Sequence, residues 1–382
     1  MKLLQGRRRP AAKADAESYK WFSACAEAVT FGVGAMLVSR SEIVHPGAKA
    51  PNPTDRAATV ALGLRSIAQL LQTPKTSVPA PEKVVRSALL IPIYTALSLV
   101  LRARTWVGRM IPLLGRTSFG AVLPCRVPDI IGTYIWVFQE WEPDLTRFIA
   151  SRVGPGDVFV DVGANIGYYT LLAARSMGAG GCTVAVEASP AMFDELRRNV
   201  AADEFGDHVR LVNKAAAAEP GTLTVFAGPS GNAGMTTTLA TRGLNVESTV
   251  EAMRLDQMLT PAEIASIRLI KIDVEGAEPD VLAGMGDLIA SLRPDAEIVV
   301  ELSPQWWPDT GLRPIDVLRP FIDAGFNVYE MKNSYTAWRY LWPNDVIDPP
   351  RVRGDLTERV ERLEVVLSRY DGDYLPIRPE HH

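Results

Sequence analysis

From Asp157 onward, unbroken apolar runs alternate with stretches in which apolar positions recur every three or four residues. Val158 to Val162 (VFVDV) predicts a strand buried on both faces, because continuous β-branched and aromatic residues suit the interior of a parallel sheet. From Ile166 through Tyr169, Leu171, Leu172 and Ala173 the period becomes helical, so this segment reads as strand, glycine turn and helix. The order then repeats. "CTVAVEA" (182–188) predicts a second strand, "SPAMFDELRRNVAAD" (189–203) a helix capped by Ser189 with Pro190 in its first turn, and "HVRLVNKA" a third strand. "IRLIKID" (267–273) and "AEIVVEL" (296–302) predict two more, with "EPDVLAGMGDLIASL" a helix between them. Such alternation implies an α/β fold: a mostly parallel, Rossmann-like sheet covered on both faces, with ligands at the carboxyl ends of its strands.

Two segments depart from the alternation. "GTLTVFAG" and "NVESTVEAMRLDQML" carry exposed-strand residues such as Thr222, Thr224, Val246 and Val250, and predict an inserted antiparallel pair. Near the end, "FNVYEM" and "SYTAWRYL" are separated only by "KN", which predicts a terminal antiparallel hairpin. In the tail "DLTERVERLEVVLSRY", Leu356, Val360, Leu363 and Val366 or Leu367 fall at helical intervals, predicting an amphipathic helix that docks or forms a dimer contact. The expected organisation is a flexible basic arm (1–20), a helical accessory region (21–116), a catalytic domain (117–350) and a helical tail (351–382).

Charge sharpens this division. Residues 1–116 hold 17 Lys and Arg against 6 Asp and Glu, a balance of +11, while residues 117–382 hold 23 against 38, a balance of −15. Within the basic region, "ALLIPIYTALSLVL" (88–101) is flanked by Arg86, Arg102, Arg104 and Arg109. Fourteen residues are too few to span a bilayer, which needs about 20. The stretch is either a buried cap helix or a membrane-surface element, with residues 84–109 meeting anionic headgroups. The charged start MKLLQGRRRPAAK lacks the apolar core of a secretory signal, so a cytoplasmic protein, peripheral at a membrane at most, is expected. Cys25, Cys125 and Cys182 match no metal-ligand spacing and are expected to be free thiols; with only four histidines, chemistry led by a histidine base is disfavoured. Nothing in the charge pattern calls for nucleic acid.

The turn Gly163-Ala-Asn-Ile-Gly167 fits neither the GxGxxG dinucleotide fingerprint nor the phosphate loop. What it offers is Asp161 two residues ahead, a helix start at Gly167, and Glu187 closing the second strand. An acid in the position of Glu187 accepts hydrogen bonds from ribose hydroxyls, and one before the turn faces a cationic amine. A ligand with a ribose, a positive amine and no phosphate is S-adenosylmethionine. Close packing of strand on helix is the alternative explanation of the two glycines.

"FVDVGANIGYYTLLAA", "VAVEASP", "RLDQML", "LIKIDVEGAEPDVLAGM" and "RPDAEIVVELSP" resemble the FkbM-type S-adenosylmethionine-dependent methyltransferases, in order and spacing, over roughly residues 125–340. The resemblance implies a class I methyltransferase sheet and methylation of a hydroxyl on a sugar, glycolipid, polyketide or other small product. It implies cofactor contacts at Asp161, Gly163, Asn165, Gly167, Glu187 and Ala188. Asn165 stands where the wider methyltransferase turn has a glycine, and Asn tolerates left-handed backbone better than other side chains do.

Deprotonating a hydroxyl acceptor without a histidine leaves Asp273, Glu275, Glu301, Lys271 or a divalent ion as candidates. If the family's strand order holds, Asp273 and Glu301 end neighbouring strands, where an ion such as Mg²⁺ could bridge them. Each has a plainer role as well: Asp273 as a helix cap, Glu275 against a helix dipole, Lys271 in a structural ion pair. Trp306 and Trp307 either line an acceptor pocket or pack a loop. Two other functions stay open, a methyltransferase-fold scaffold whose basic region binds a membrane or acidic partner, and a nicotinamide oxidoreductase. The oligomeric state, a homo-oligomer included, is likewise open.

Overall fold

The computed structural model describes residues 60, 61, 63–65, 88–97, 99, 100, 110–127, 129–228, 236–240, 244–307, 311–333, 339, 340, 348–353, 356 and 362–377. The chain divides into two units, Met1–Leu113 with Thr336–Trp342, and Leu114–Tyr335 with Pro343–His382. In the first, residues 88–97 and 99–100 are helical; Leu90 and Leu97 are buried, whereas Leu89, Ile91 and Leu99 are exposed. Among the described residues no helix is long and apolar enough to cross a membrane. The basic arm and the four flanking arginines lie outside the described residues.

The strands are β1 (Ile111–Arg116), β2 (Val122–Val127), β3 (Val158–Val162), β4 (Cys182–Val186), β5 (Val209–Val212), β6 (Ala215–Ala216), β7 (Gly221–Ala227), β8 (Asn245–Met253), β9 (Ile267–Ile272), β10 (Glu297–Leu302), β11 (Asn327–Met331) and β12 (Leu363–Ser368). Seven of them form one sheet in the order β11-β12-β10-β9-β3-β4-β5. Every pairing from β10 through β5 is parallel, and β12 runs antiparallel to both neighbours. Helices α1 (Tyr168–Met177) and α2 (Pro190–Ala201) follow β3 and β4, and the short helices α3 (Glu278–Ala283) and α4 (Gly286–Ser291) lie between β9 and β10. The fold is therefore α/β, with a mostly parallel sheet. The chain winds outward from β3 in one direction as far as β5, then resumes on its other side at β9. The sheet thus has its topological switch point at the carboxyl ends of β3 and β9, where such folds bind ligands.

All residues of β3, β10 and β12 are buried, which is why their sequences are apolar on both faces. The core joins Val160, Ile270, Ile298, Val300, Val365 and Leu367 across the sheet. Polar side chains buried among them, notably Asp161, Lys271, Glu301 and Glu364, are expensive without partners and mark the functional edge.

Two sequence expectations are corrected. Over its described part the tail is not an amphipathic helix: Leu363–Ser368 is the strand inserted between β10 and β11, with Val366 opposite both Val299 and Tyr329. Its helical spacing was incidental to the unbroken run LEVVLS, which contains two adjacent valines and is buried on both faces. For the same reason the hairpin partner of β11 is β12, not "SYTAWRYL", of which Arg339 and Tyr340 are helical. The inserted pair is present as β7 against β8, with β6 added in parallel to β8. The hairpin of β1 and β2 was not foreseen, and the single helix expected after β9 is split into α3 and α4.

Candidate active site

The glycine turn forms the first half of the site. Gly163, Asn165 and Gly167 all have positive φ, at 79°, 51° and 93°. The N–H groups of Gly163 and Ala164 donate to the Val186 carbonyl oxygen at 3.0 and 3.1 Å, tying the turn to the end of β4. A Cβ on Gly163 would come within 1.8 Å of the Asp273 carbonyl oxygen, so this position admits only glycine. This close approach brings the ends of β3 and β9 together.

Glu187 is buried just beyond β4. Its Oε2 accepts from the Asn165 N–H and its Oε1 from the Ser189 N–H, each at 2.8 Å. Burial outweighs these two donors and pushes its pKa up to about 7. Each oxygen keeps a lone pair for a further donor. Asp161 is fully buried in β3; Thr170 donates to its Oδ2 at 2.6 Å, while Oδ1 has no hydrogen-bond partner and faces the Lys271 ammonium at 3.7 Å. Burial raises the Asp161 pKa, against the pull of Lys271.

The acid-rich turn after β9 forms the second half. Lys271 reaches Asp273 Oδ2 at 3.3 Å and lies 5.0 Å from the centre of the Tyr169 ring. Burial disfavours its charge, but Asp273, Asp161, Glu142 and Glu301 prevail and hold its pKa well above the usual lysine value. A protonated amine has no lone pair, so in this state Lys271 acts as an electrostatic bridge between two carboxylates. Glu275 adopts a left-handed φ of 52°, and its carbonyl accepts from the Thr237 hydroxyl at 2.9 Å. Glu301 pairs with Arg362, which also lies 3.6 Å from Glu142. Tyr169 donates to Glu142 at 2.5 Å. Opposite Glu301 across the β10–β12 pairing stands Glu364. Burial, with further negative charge nearby, raises the pKa of both glutamates well above the carboxylate range.

Oxygens of Asp273, Glu275 and Glu301 lie within 4.8 Å of one another, a spacing that suits a cation. Two of the three already meet a counter-charge of the chain itself, Asp273 from Lys271 and Glu301 from Arg362. The residues present therefore do not demand an ion. Trp307 packs the loop: its indole N–H donates to buried Glu278 at 2.8 Å, and Glu278 accepts from the Gly276 N–H at 2.6 Å. Trp306 lies against Gly276, beside the acid turn.

Residues 161–328 match the family model described as the methyltransferase FkbM domain. The matched segment runs from the carboxyl end of β3 into β11 and includes both turns. The chain is 26% identical over 192 residues to a hexuronic acid methyltransferase, AglP, of Haloferax volcanii, covering 50% of this chain and 72% of that one. It is 29% identical over 223 residues to the methyltransferase sdnD of Sordaria araneosa, covering 50% and 82%. Among solved structures, a methyltransferase FkbM from Methylobacillus flagellatus aligns with a TM-score of 0.35 at 11% identity, over 62% of this chain and 52% of that one.

The predicted site residues fall into two groups around the switch point: Asp161, Gly163, Asn165, Gly167, Glu187 and Ala188 at β3 and β4, and Lys271, Asp273, Glu275 and Glu301 at β9 and β10. Lys271 joins the groups. Sequence reasoning missed Thr170, Tyr169, Glu142, Arg362 and Glu364. Glu142 precedes the matched segment. Glu364 was hidden by the helical reading of the tail, and only the alternation of Leu363, Val365 and Leu367 about it signalled a strand.

Proposed function

We propose that this methyltransferase uses S-adenosylmethionine to methylate a hydroxyl group on a sugar, glycolipid, polyketide or comparable small acceptor. The observation that carries the reading is the pairing of a phosphate-free turn, closed by buried Glu187 and Asp161, with a carboxylate-rich turn directly across the switch point. Glu187 would hold the ribose, and Asp161, whose Oδ1 faces Lys271 at 3.7 Å, would add its negative charge on the cationic side of the ligand. When bound, the cofactor supplies an activated methyl group on a sulfonium.

The work left to the chain is to align an acceptor oxygen, take its proton and exclude water. Asp273 is the half-buried carboxylate at the meeting of the two turns, steadied by Lys271 at 3.3 Å, and serves as the base. Glu301 and Glu275 flank it and, with Arg362, shape the acceptor side. The reading routes no step through a metal. The relative named for hexuronic acid supports a sugar acceptor by analogy alone.

The test is a methyl-transfer screen with radiolabelled S-adenosylmethionine against hydroxylated glycans, lipids and polyketides, run beside Asp273→Asn. That variant should bind the cofactor within about twofold of wild type and lose roughly 10²- to 10⁴-fold in turnover, the usual contribution of a general base. Full turnover in the variant removes Asp273 from the role.

A further inference from the structure

The inserted three-stranded sheet has no part in the chemistry above, yet it touches the cofactor side of the site in three ways. Glu247 of β8 accepts from the Ser189 hydroxyl, at 2.7 Å through Oε1 and 2.9 Å through Oε2, and from the Ala191 N–H at 3.0 Å. Ser189 is also the N-cap of α2: its hydroxyl oxygen accepts from the Met192 N–H at 3.1 Å, and its own N–H donates to Glu187 Oε1. A carboxylate lent by another sheet thus completes the cap of α2 and sits on the residue that orients Glu187. The second link is apolar: Ala188 packs against the small core of the inserted sheet, made by Ala215, Ala217, Val225, Val250 and Ala252. The third lies just before β6, where the Asn213 amide donates to the Glu187 and Ala188 carbonyl oxygens at 2.8 and 3.3 Å.

We infer that Glu247 is a positioning residue for cofactor binding, acting through Ser189 on Glu187, and that the inserted sheet is a working part of the nucleoside pocket. The physical reason lies in the Glu187 side chain: its backbone is anchored, the N–H donating to the Val212 carbonyl oxygen at 3.0 Å and the carbonyl accepting from Asn213. Its carboxyl group, held by the Asn165 and Ser189 N–H groups, can tilt away from a ribose unless those donors are themselves fixed. A charge-assisted hydrogen bond to the Ser189 hydroxyl, strengthened by the positive end of α2, supplies that fixing.

The inference rests on the cofactor reading, and calorimetric titration of the full chain with S-adenosylmethionine separates the two. If wild type takes up no S-adenosylmethionine, the cofactor reading fails and this inference with it. If wild type binds, Glu247→Ala should weaken binding roughly three- to tenfold, as loss of a helix-cap interaction does. Glu247→Gln, which keeps an acceptor oxygen, should recover most of the loss. Ser189→Ala should reproduce it. Because the effect runs through Glu187, Glu187→Ala with Glu247→Ala should bind no worse than Glu187→Ala alone, whereas a general loosening of the fold would add to it. Glu251→Ala, on the same strand as Glu247, breaks only an exposed pair with Lys214 and should leave affinity unchanged. Wild-type affinity in folded Glu247→Ala or Ser189→Ala, or full additivity in the double variant, overturns the inference.

Discussion

Gly163 shows how much one residue decides here. Its φ of 79° lies in the left-handed region, and the Asp273 carbonyl oxygen occupies the space a side chain would need. Gly163→Ala should therefore cost about 1–3 kcal/mol from backbone conformation alone, with the steric clash added, and should abolish cofactor binding by forcing the two turns apart. Chemical denaturation and calorimetry check both effects; a variant that binds normally shows that the turns can separate without loss. Asn165 and Glu275 are the non-glycine counterparts, held at φ of 51° and 52° in the two facing turns. Strain of this kind persists where the surroundings over-determine the backbone, and both sit at the switch point.

Among the elements, β12 carries the largest consequence. Leu367 is fully buried opposite Ile298 of β10 and Val328 of β11. Leu367→Ala should destabilise by about 2–5 kcal/mol, the range for emptying a packed core site. An exposed face of a tail helix would tolerate the change. Because β12 lies between two strands, a chain ending before residue 356 should leave β11 without its partner and be recovered insoluble, whereas a docked helix could be removed with the sheet intact. The inserted sheet teaches a related lesson: its alternating strands were legible, but its hold on Ser189 depends on where the chain returns in space.

For the whole molecule, the buried acids govern the response to pH. Glu187 and Glu278 are both pushed up to about 7, chiefly by burial. An unfolded glutamate titrates near ~4.3, so the folded state binds more protons between those values. Their stabilising contribution is complete below the unfolded pKa and is lost as pH rises through about 7. Asp161, Glu301 and Glu364, raised in the same direction, add to the trend, while Lys271 stays charged throughout this window. The melting temperature of the ligand-free protein should fall from about pH 5 to pH 8. Ribose hydroxyls favour the ionised Glu187, so cofactor binding near pH 6.5 should release protons, measurable by calorimetry in buffers of differing ionisation enthalpy. A flat melting profile with no proton release removes Glu187 from this account.

Local pattern alone determined the α/β class, the five parallel strands from Val158 to Leu302, the Ser189 cap and the two glycines of the turn. Each follows from period, β-branching or backbone freedom within a few residues of chain. Tertiary structure alone decided that LEVVLS is a strand, since helical spacing and an apolar run coexist there and burial on both faces breaks the tie. It also decided which acids meet. Glu142, Glu301 and Glu364 come from distant segments and gather around Arg362 because the sheet order puts β10 beside β12, a pairing that no short stretch of sequence encodes. The same holds for Glu247, whose place at the cap of α2 follows from the return path of the inserted sheet.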